Sequence, residues 1–349
     1  KVSFHAEEVH DFAWIASPTF LYESGSWNGI DVHVLFNEEN GESWTKEVVA
    51  RSERALEWLT NKFGEYPYPQ VSTTDRIRGG GMEYPMITFN GPRTELEDDG
   101  SRTYSRSEKE FLIGVVIHEI GHIYFPMIVN SDERQWTWMD EGLNTFLQYL
   151  AEQEWDINYR SDRGEPRWLT DYMSSSYQVP IMTNSESLLQ FGNNAYGKPA
   201  TALNILRETI LGRELFDFAF KEYANRWKFK RPTPYDFFRT MEEASGVDLD
   251  WFWQGWFFST NHVDISIEKI SKGTLDTLNP KIDSEKDRED RSKEPEALAD
   301  IRNTQEGIIT KVIERPDLLD IYDEYDEFTP GIEQLEDYEE ILEDLKDET

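Results

Sequence analysis

Cysteine is absent from this chain of 349 residues. That excludes a disulfide scaffold, a thiolate nucleophile and any cysteine-ligated metal or iron–sulfur site. It fits the cytosol and the periplasm or cell envelope equally well, so location stays open. Histidine is scarce: His5, His10, His33, His118, His122 and His262 are all six. Any imidazole-based site draws on that short set. Positive charge is scarce too, with 35 Lys and Arg against 69 Asp and Glu and a net charge of −34. Such a surface argues against nucleic acid and anionic membranes as partners. No apolar run of signal-peptide or membrane-spanning length is expected, and the first residues after Lys1 already read as structure. The chain is therefore expected to be a processed or excised piece of a longer protein. Aromatic residues are plentiful, with 12 Trp, 16 Tyr and 20 Phe. They are ample for a large core, which excludes a disordered chain.

Residues 2–36 have strand character in Val2-Ser3-Phe4 and in Ile30-Asp31-Val32-His33-Val34-Leu35-Phe36, with turn residues Gly25, Asn28 and Gly29 between. Helical spacing predicts a helix over about Thr45–Phe63, stopped by Gly64. Gln70–Asp75 and Met82–Phe89 are expected strands around Gly79-Gly80-Gly81. Leu96–Arg106 is an expected loop. Ser107-Glu108-Lys109-Glu110 has the capping-box pattern before an apolar run, and that helix is expected to reach about Phe125, where Pro126 ends it. A second helix is expected over about Glu133–Gln153. Further helices are expected over Ala200–Leu211 behind Pro199, over Leu215–Trp227, over Tyr235–Ala244 capped by Thr233-Pro234, and over Asp250–Phe258. Beyond about Lys269 the composition shifts. Residues 271–349 hold 26 acidic and 10 basic residues. Ser271–Asp300 is expected as a linker or loop, and residues 321–349 as an acidic helical end piece. The organisation expected is residues 1–36 as the edge of an amino-terminal β domain, 37–270 as a catalytic domain, and 271–349 as an acidic appendage.

His118-Glu119-Ile120-Gly121-His122 carries the chemistry. Residues four apart stack on one helix face, so both imidazoles can reach one metal ion. Zinc needs such nitrogen donors, a third ligand and an open position. Glu119 lies beside them, placed to take a proton from metal-activated water. A third ligand is available in Met139-Asp140-Glu141-Gly142-Leu143. That segment sits in a largely apolar helix, where a carboxylate needs a partner. Glu141 is the expected ligand and Asp140 its competitor.

With 18 residues intervening before Glu141, this motif resembles the gluzincin signature of the aminopeptidase N family, one branch of which is the bifunctional leukotriene hydrolase. Gly80-Gly81-Met82-Glu83-Tyr84-Pro85 resembles the family's Gly-x-Met-Glu-Asn segment, with Tyr84 in place of the commoner Asn. Val9-His10-Asp11-Phe12-Ala13-Trp14, Tyr196-Gly197-Lys198-Pro199-Ala200 and the Trp-rich 251–258 stretch resemble further family segments, so the likeness runs over about residues 2–270.

The resemblance implies an α+β fold, a thermolysin-like catalytic domain with a mixed β-sheet lobe and a helical lobe. It implies a zinc aminopeptidase with one Zn2+ on His118, His122 and Glu141, acting on peptides with a free amino terminus. Glu83 would hold the substrate amine, while Gly80, Gly81 and Met82 offer backbone to the peptide, since an extended strand edge can pair with it. Tyr196 would donate to the oxyanion, with Tyr172 and Tyr177 as fallbacks. The family's amino-terminal domain and long carboxy-terminal helical domain are expected to be missing or reduced, so the usual second acidic contact to the amine has no assigned residue. A thermolysin-type endopeptidase shares the helix signature but has no free amine to anchor. A catalytically dead scaffold would have little use for an intact His118, Glu119, His122, Glu141 and Tyr196.

Overall fold

The computed structural model describes residues 3–44, 47–75, 80–91, 95–96, 102–103, 105–262, 278–319, 326 and 328–347. Gly79, Val2 and residues 263–277, on which some sequence expectations fall, lie outside them.

Asn28 and Gly29 both adopt positive φ (49° and 79°) and turn one strand back on another. Two such residues form the hairpin turn that matches the strands' twist. The flanking strands are β1 (Leu21–Trp27) and β2 (Ile30–Phe36), paired antiparallel. Strand β2 alternates as its sequence predicts, with Ile30, Val32, Val34 and Phe36 buried. Gly25 is inside β1, not in a turn. Ser3 and Phe4 are irregular rather than extended into a strand; exposed Phe4 meets Phe12 instead.

Strand β3 (Gln70–Asp75) runs parallel to β2. The next expected strand is two: β4 (Gly81–Tyr84) and β5 (Ile87–Asn90), antiparallel around a turn at Pro85 and Met86. Met86 takes φ 64°, a conformation that non-glycine residues seldom signal in sequence. The sheet order is β1-β2-β3-β5-β4. Strands either side of residue 36 thus share one sheet, and β4 is its terminal strand. Residues 95–96 and 102–103 form a separate two-stranded ladder inside the expected loop.

Helix α1 (Glu47–Phe63) packs Val48, Ala55, Leu56, Leu59 and Phe63 inward. Helix α2 (Arg106–His122) is the core of the molecule. Its capping box is Ser105 with Glu108, two residues before the expected one. Two Ser-x-x-Glu frames overlap here, and in the second Glu110 pairs with Arg106 at 2.9 Å instead of capping. The segment Arg106–Ile128 is apolar enough by length and composition to cross a membrane, so one apolar stretch does reach that length, contrary to expectation. Within its most apolar 18 residues 94% are buried inside the fold, as suits a core helix. The helical path breaks at Phe125 (φ −134°, ψ 102°), because the residue before a proline is driven out of the helical region.

Helix α3 (Leu143–Trp155) follows a wide helical turn over Trp138–Gly142. Residues 133–135 form only a turn, so it begins later than expected. Helix α4 (Lys198–Ile205) is preceded by a wide turn, Gly192–Gly197, so Pro199 lies past the start of the helical path. Helices α5 (Arg213–Trp227), α6 (Pro234–Ser245) and α7 (Asp250–Trp256) complete an aromatic core. Thr233 with Asp236 caps α6, and Gly246 ends it, as the sequence predicts. The expected linker instead carries α8 (Pro280–Ser292) and the start of α9 (Leu298–Glu306), with non-helical residues 293–297 between them. Asn279 caps α8 and Pro280 opens it. Helix α9 is pinned by Arg213, which donates to Asn303 Oδ1 (2.8 Å) and to the Ala299 carbonyl (3.0 Å). Helix α10 (Ile332–Asp347) lies where an acidic helix is expected.

Candidate metal centre

The last turn of α2 holds His118 and His122 one above the other, and the wide turn before α3 brings Glu141 to them. His122 Nε2 lies 2.9 Å from His118 Nε2. Glu141 Oε2 lies 3.0 Å from His118 Nε2 and 3.2 Å from His122 Nε2. Zinc bonds of about 2.0–2.1 Å in a tetrahedron put neighbouring donors roughly 3.3 Å apart. The triangle is close to one face of that figure, and its two imidazoles and one carboxylate suit a divalent transition metal.

Each ring is oriented through its other nitrogen. His118 Nδ1 bonds Gln148 Oε1 at 2.9 Å. His122 Nδ1 donates to the Phe125 carbonyl at 2.9 Å. That carbonyl is available because Pro126 has broken the helix at Phe125. Asp140 Oδ1 stands 3.0 Å from the same Nδ1. Asp140, the competitor for the third position, therefore sits at the outer nitrogen, and Glu141 at the inner one. Such outer partners fix ring orientation in metal sites.

Burial depresses the His118 pKa, which favours the neutral donor form. Burial would raise the Glu141 carboxyl, but His122 and His118 outweigh it and hold Glu141 well below the usual range. Burial would lower His122, yet Asp140 and Glu141 pull it well above the usual range. The carboxylates around His122 thus favour positive charge there, which a proton or a metal cation can supply.

Glu119 is buried and outside the triangle. Burial, then the carboxylates of Glu83, Glu141 and Asp140, push its pKa well up against the pull of His122. Its Oε2 has no hydrogen-bond partner among the described residues. Its other oxygen lies so close to Gly81 that a Cβ there would collide with it. Only glycine lets β4 come this near α2. Glu83, two residues on, is buried, with its carboxylate within 4.8 Å of His122 and Asp140 side-chain atoms. Among the described residues β4 pairs with β5 alone, leaving its outer edge beside the cluster. Gly80 has φ +71°, and half-exposed Met82 follows Gly81 along that edge.

Tyr196 stacks on His118 with ring centroids 6.0 Å apart. Burial, then the Glu141 carboxylate, raises its pKa far above the phenolic range, so the hydroxyl keeps its proton. A Cβ on Gly142 would strike Pro199, so the Glu141 turn and the Tyr196 turn interlock at that glycine. Tyr172 is buried beside Asn194, and Tyr177 is exposed.

Sequence reasoning missed Gln148, Glu152 and Arg163, whose guanidinium lies 4.5 Å over the ring of Tyr196. The first two had a signal: Glu141, Asn144, Gln148 and Glu152 recur at helical spacing, a polar stripe on an otherwise apolar helix. Asn144 donates to the His118 carbonyl at 2.7 Å, and Gln148 Nε2 to Glu152 Oε1 at 2.7 Å. The latter bond turns the Gln148 oxygen toward His118.

Residues 48–256 match the family profile described as the peptidase family M1 domain. The chain belongs to peptidase family M1. Among its M1 relatives, mitochondrial aminopeptidase 2 of Saccharomyces cerevisiae is 25% identical over 251 residues, 68% of this chain and 26% of that protein. Glutamyl aminopeptidase of Bos taurus is 26% identical over 243 residues, 66% of this chain and 25% of that protein. The fold resembles Legionella pneumophila aminopeptidase A, solved in complex with aspartic acid. That match has a TM-score of 0.55 at 18% identity and covers 69% of this chain and 28% of that one. The chain spans about a quarter of the length of the curated M1 relatives it matches.

The buried Glu152 supplies a pH test. Burial raises its carboxyl from 4.5 to about 7, partly offset by hydrogen bonds from Ser161 and Gln148 and reinforced by Asp162. A raised folded-state pKa gives stability that is complete below the unfolded value and lost as pH climbs through the folded one. Glu152 should therefore cost on the order of 3 kcal/mol between acid and neutral pH. In urea unfolding, the stability of wild type relative to Glu152→Gln is expected to fall between about pH 4.5 and 7 and level off above. A flat difference would show that Glu152 ionises freely.

Proposed function

We propose that this M1 chain is a zinc-dependent aminopeptidase, with one Zn2+ held by His118, His122 and Glu141. The observation that carries it is the buried Glu83 on a terminal strand, beside a His–His–carboxylate triangle and a Glu119 whose Oε2 has no hydrogen-bond partner among the described residues. Zinc, when bound, acidifies water and polarises the scissile carbonyl. Glu119 accepts the water proton at its carboxylate and passes it to the leaving amine. Its raised pKa suits both halves of that transfer. The Tyr196 hydroxyl donates to the oxygen of the substrate carbonyl as charge develops there. Glu83 replaces the water lost by the substrate α-ammonium, while Gly80, Gly81 and Met82 present strand backbone to the peptide.

A thermolysin-type endopeptidase would have no use for a carboxylate at this place. Peptides with free amino termini are expected to be cleaved far better than their acetylated partners. Glu83→Ala should erode that preference by weakening cleavage of the free-amine peptide. Equal wild-type kcat/KM on the matched pair would contradict the aminopeptidase reading.

A further inference from the structure

A cavity of about 390 Å3 lies between α2 and α3, one helical turn before His118. Gly114 and Val115, one turn before His118, form one wall, and Gln148 and Glu152 of α3 form another. Gln148 is the partner of His118 Nδ1, so cavity and triangle share a wall. Arg160, Asp162 and Arg163, from the loop after α3, also line the cavity.

The two ends of the site differ in charge. Glu83 and Asp140 gather at His122. Arg163 lies at the other end, its guanidinium 4.5 Å over the ring of Tyr196, which itself stacks on His118. Arg163 is exposed and makes no ion pair among the described residues. The cavity's acids are largely accounted for. Glu110 is bound by Arg106 at 2.9 Å. Glu152 is enclosed and hydrogen-bonded by Gln148 and Ser161. Asp162 is exposed beside Arg163 in the chain. In a protein of net charge −34, Arg160 and Arg163 both line this one opening.

If the substrate amine sits at Glu83, the chain beyond the scissile bond runs past His118 and Tyr196 toward this cavity. We propose that Arg163 and the cavity it borders form a subsite for a carboxylate on the leaving side of the substrate. A guanidinium fork matches a carboxylate in shape and charge, and an arginine already held over a ring loses little freedom in binding it. The carboxylate has two sources: the main-chain terminus of a dipeptide, or an acidic side chain on the residue after the scissile bond. The subsite rests on the aminopeptidase reading and adds a selectivity that Glu83 does not provide.

The test compares kcat/KM for Ala-Ala against Ala-Ala-amide, and for Ala-Glu-amide against Ala-Gln-amide, with alanine para-nitroanilide as reference. A charge-assisted bond predicts roughly a ten- to hundredfold preference for the charged member of at least one pair, and that pair names the source. Arg163→Gln is expected to bring the ratio toward one, and Arg163→Lys to restore part of it. A purely structural Arg163, propping Tyr196, would slow both members of a pair alike and leave the ratio unchanged. That result, or a wild-type ratio near one in both pairs, overturns the subsite. Failure to cleave any compound, the anilide included, overturns the aminopeptidase reading itself.

Discussion

Replacing Glu119 with Gln is expected to lower kcat by about 10²–10⁴-fold, the range for losing one general acid–base group, while the protein still binds one zinc ion. The substitution keeps size and shape but removes the proton acceptor. Glu119 lies outside the triangle of His118, His122 and Glu141, so metal affinity should survive. Its surroundings explain the size of the effect. Burial and three neighbouring carboxylates lift its pKa, making it a stronger base than an exposed carboxylate and a competent acid afterwards. The measurement pairs metal analysis with steady-state kinetics on a free-amine peptide. A zinc-loaded variant with near-normal kcat would remove Glu119 from the proton path.

Tyr196→Phe is expected to reduce kcat by roughly 10²–10³-fold, the usual cost of one oxyanion donor, with KM nearly unchanged. The ring remains, so its packing on His118 and under Arg163 should persist. Only the hydroxyl goes, and that hydroxyl stays protonated because burial and Glu141 oppose its ionisation. A donor that acts as charge develops in the transition state affects kcat rather than ground-state binding. A higher KM with intact kcat would instead make Tyr196 a contact to the bound substrate.

The juxtaposition of His118 and His122 was legible because its signal is local. An i, i+4 histidine pair on a helix fixes its own geometry. The choice of Glu141 over Asp140 rests on the spacing from His122 and the family likeness; in the fold these adjacent residues face different ring nitrogens of His122. Helix α6 was readable from its cap, its first-turn proline and its terminal glycine. Pattern failed where it offered two answers or none. Two overlapping capping frames shifted the start of α2. The Pro85–Met86 turn hid a hairpin because no glycine marked it. Helix α8 lies in a stretch too polar to suggest packing; Lys293, just past its end, pairs back with Glu289 at 2.6 Å. Arg163 left no trace, because its meaning depends on Tyr196, a residue distant in sequence.

One metal ion is expected on His118, His122 and Glu141, with Asp140 held outside. Anomalous diffraction at the zinc edge, from crystals of the zinc-loaded protein, tests it most directly. A single peak is expected about 2.0–2.2 Å from both Nε2 atoms and from a Glu141 carboxylate oxygen. A peak bonded to Asp140 or Glu83 in place of Glu141, or no peak within bonding range of His118, would contradict it.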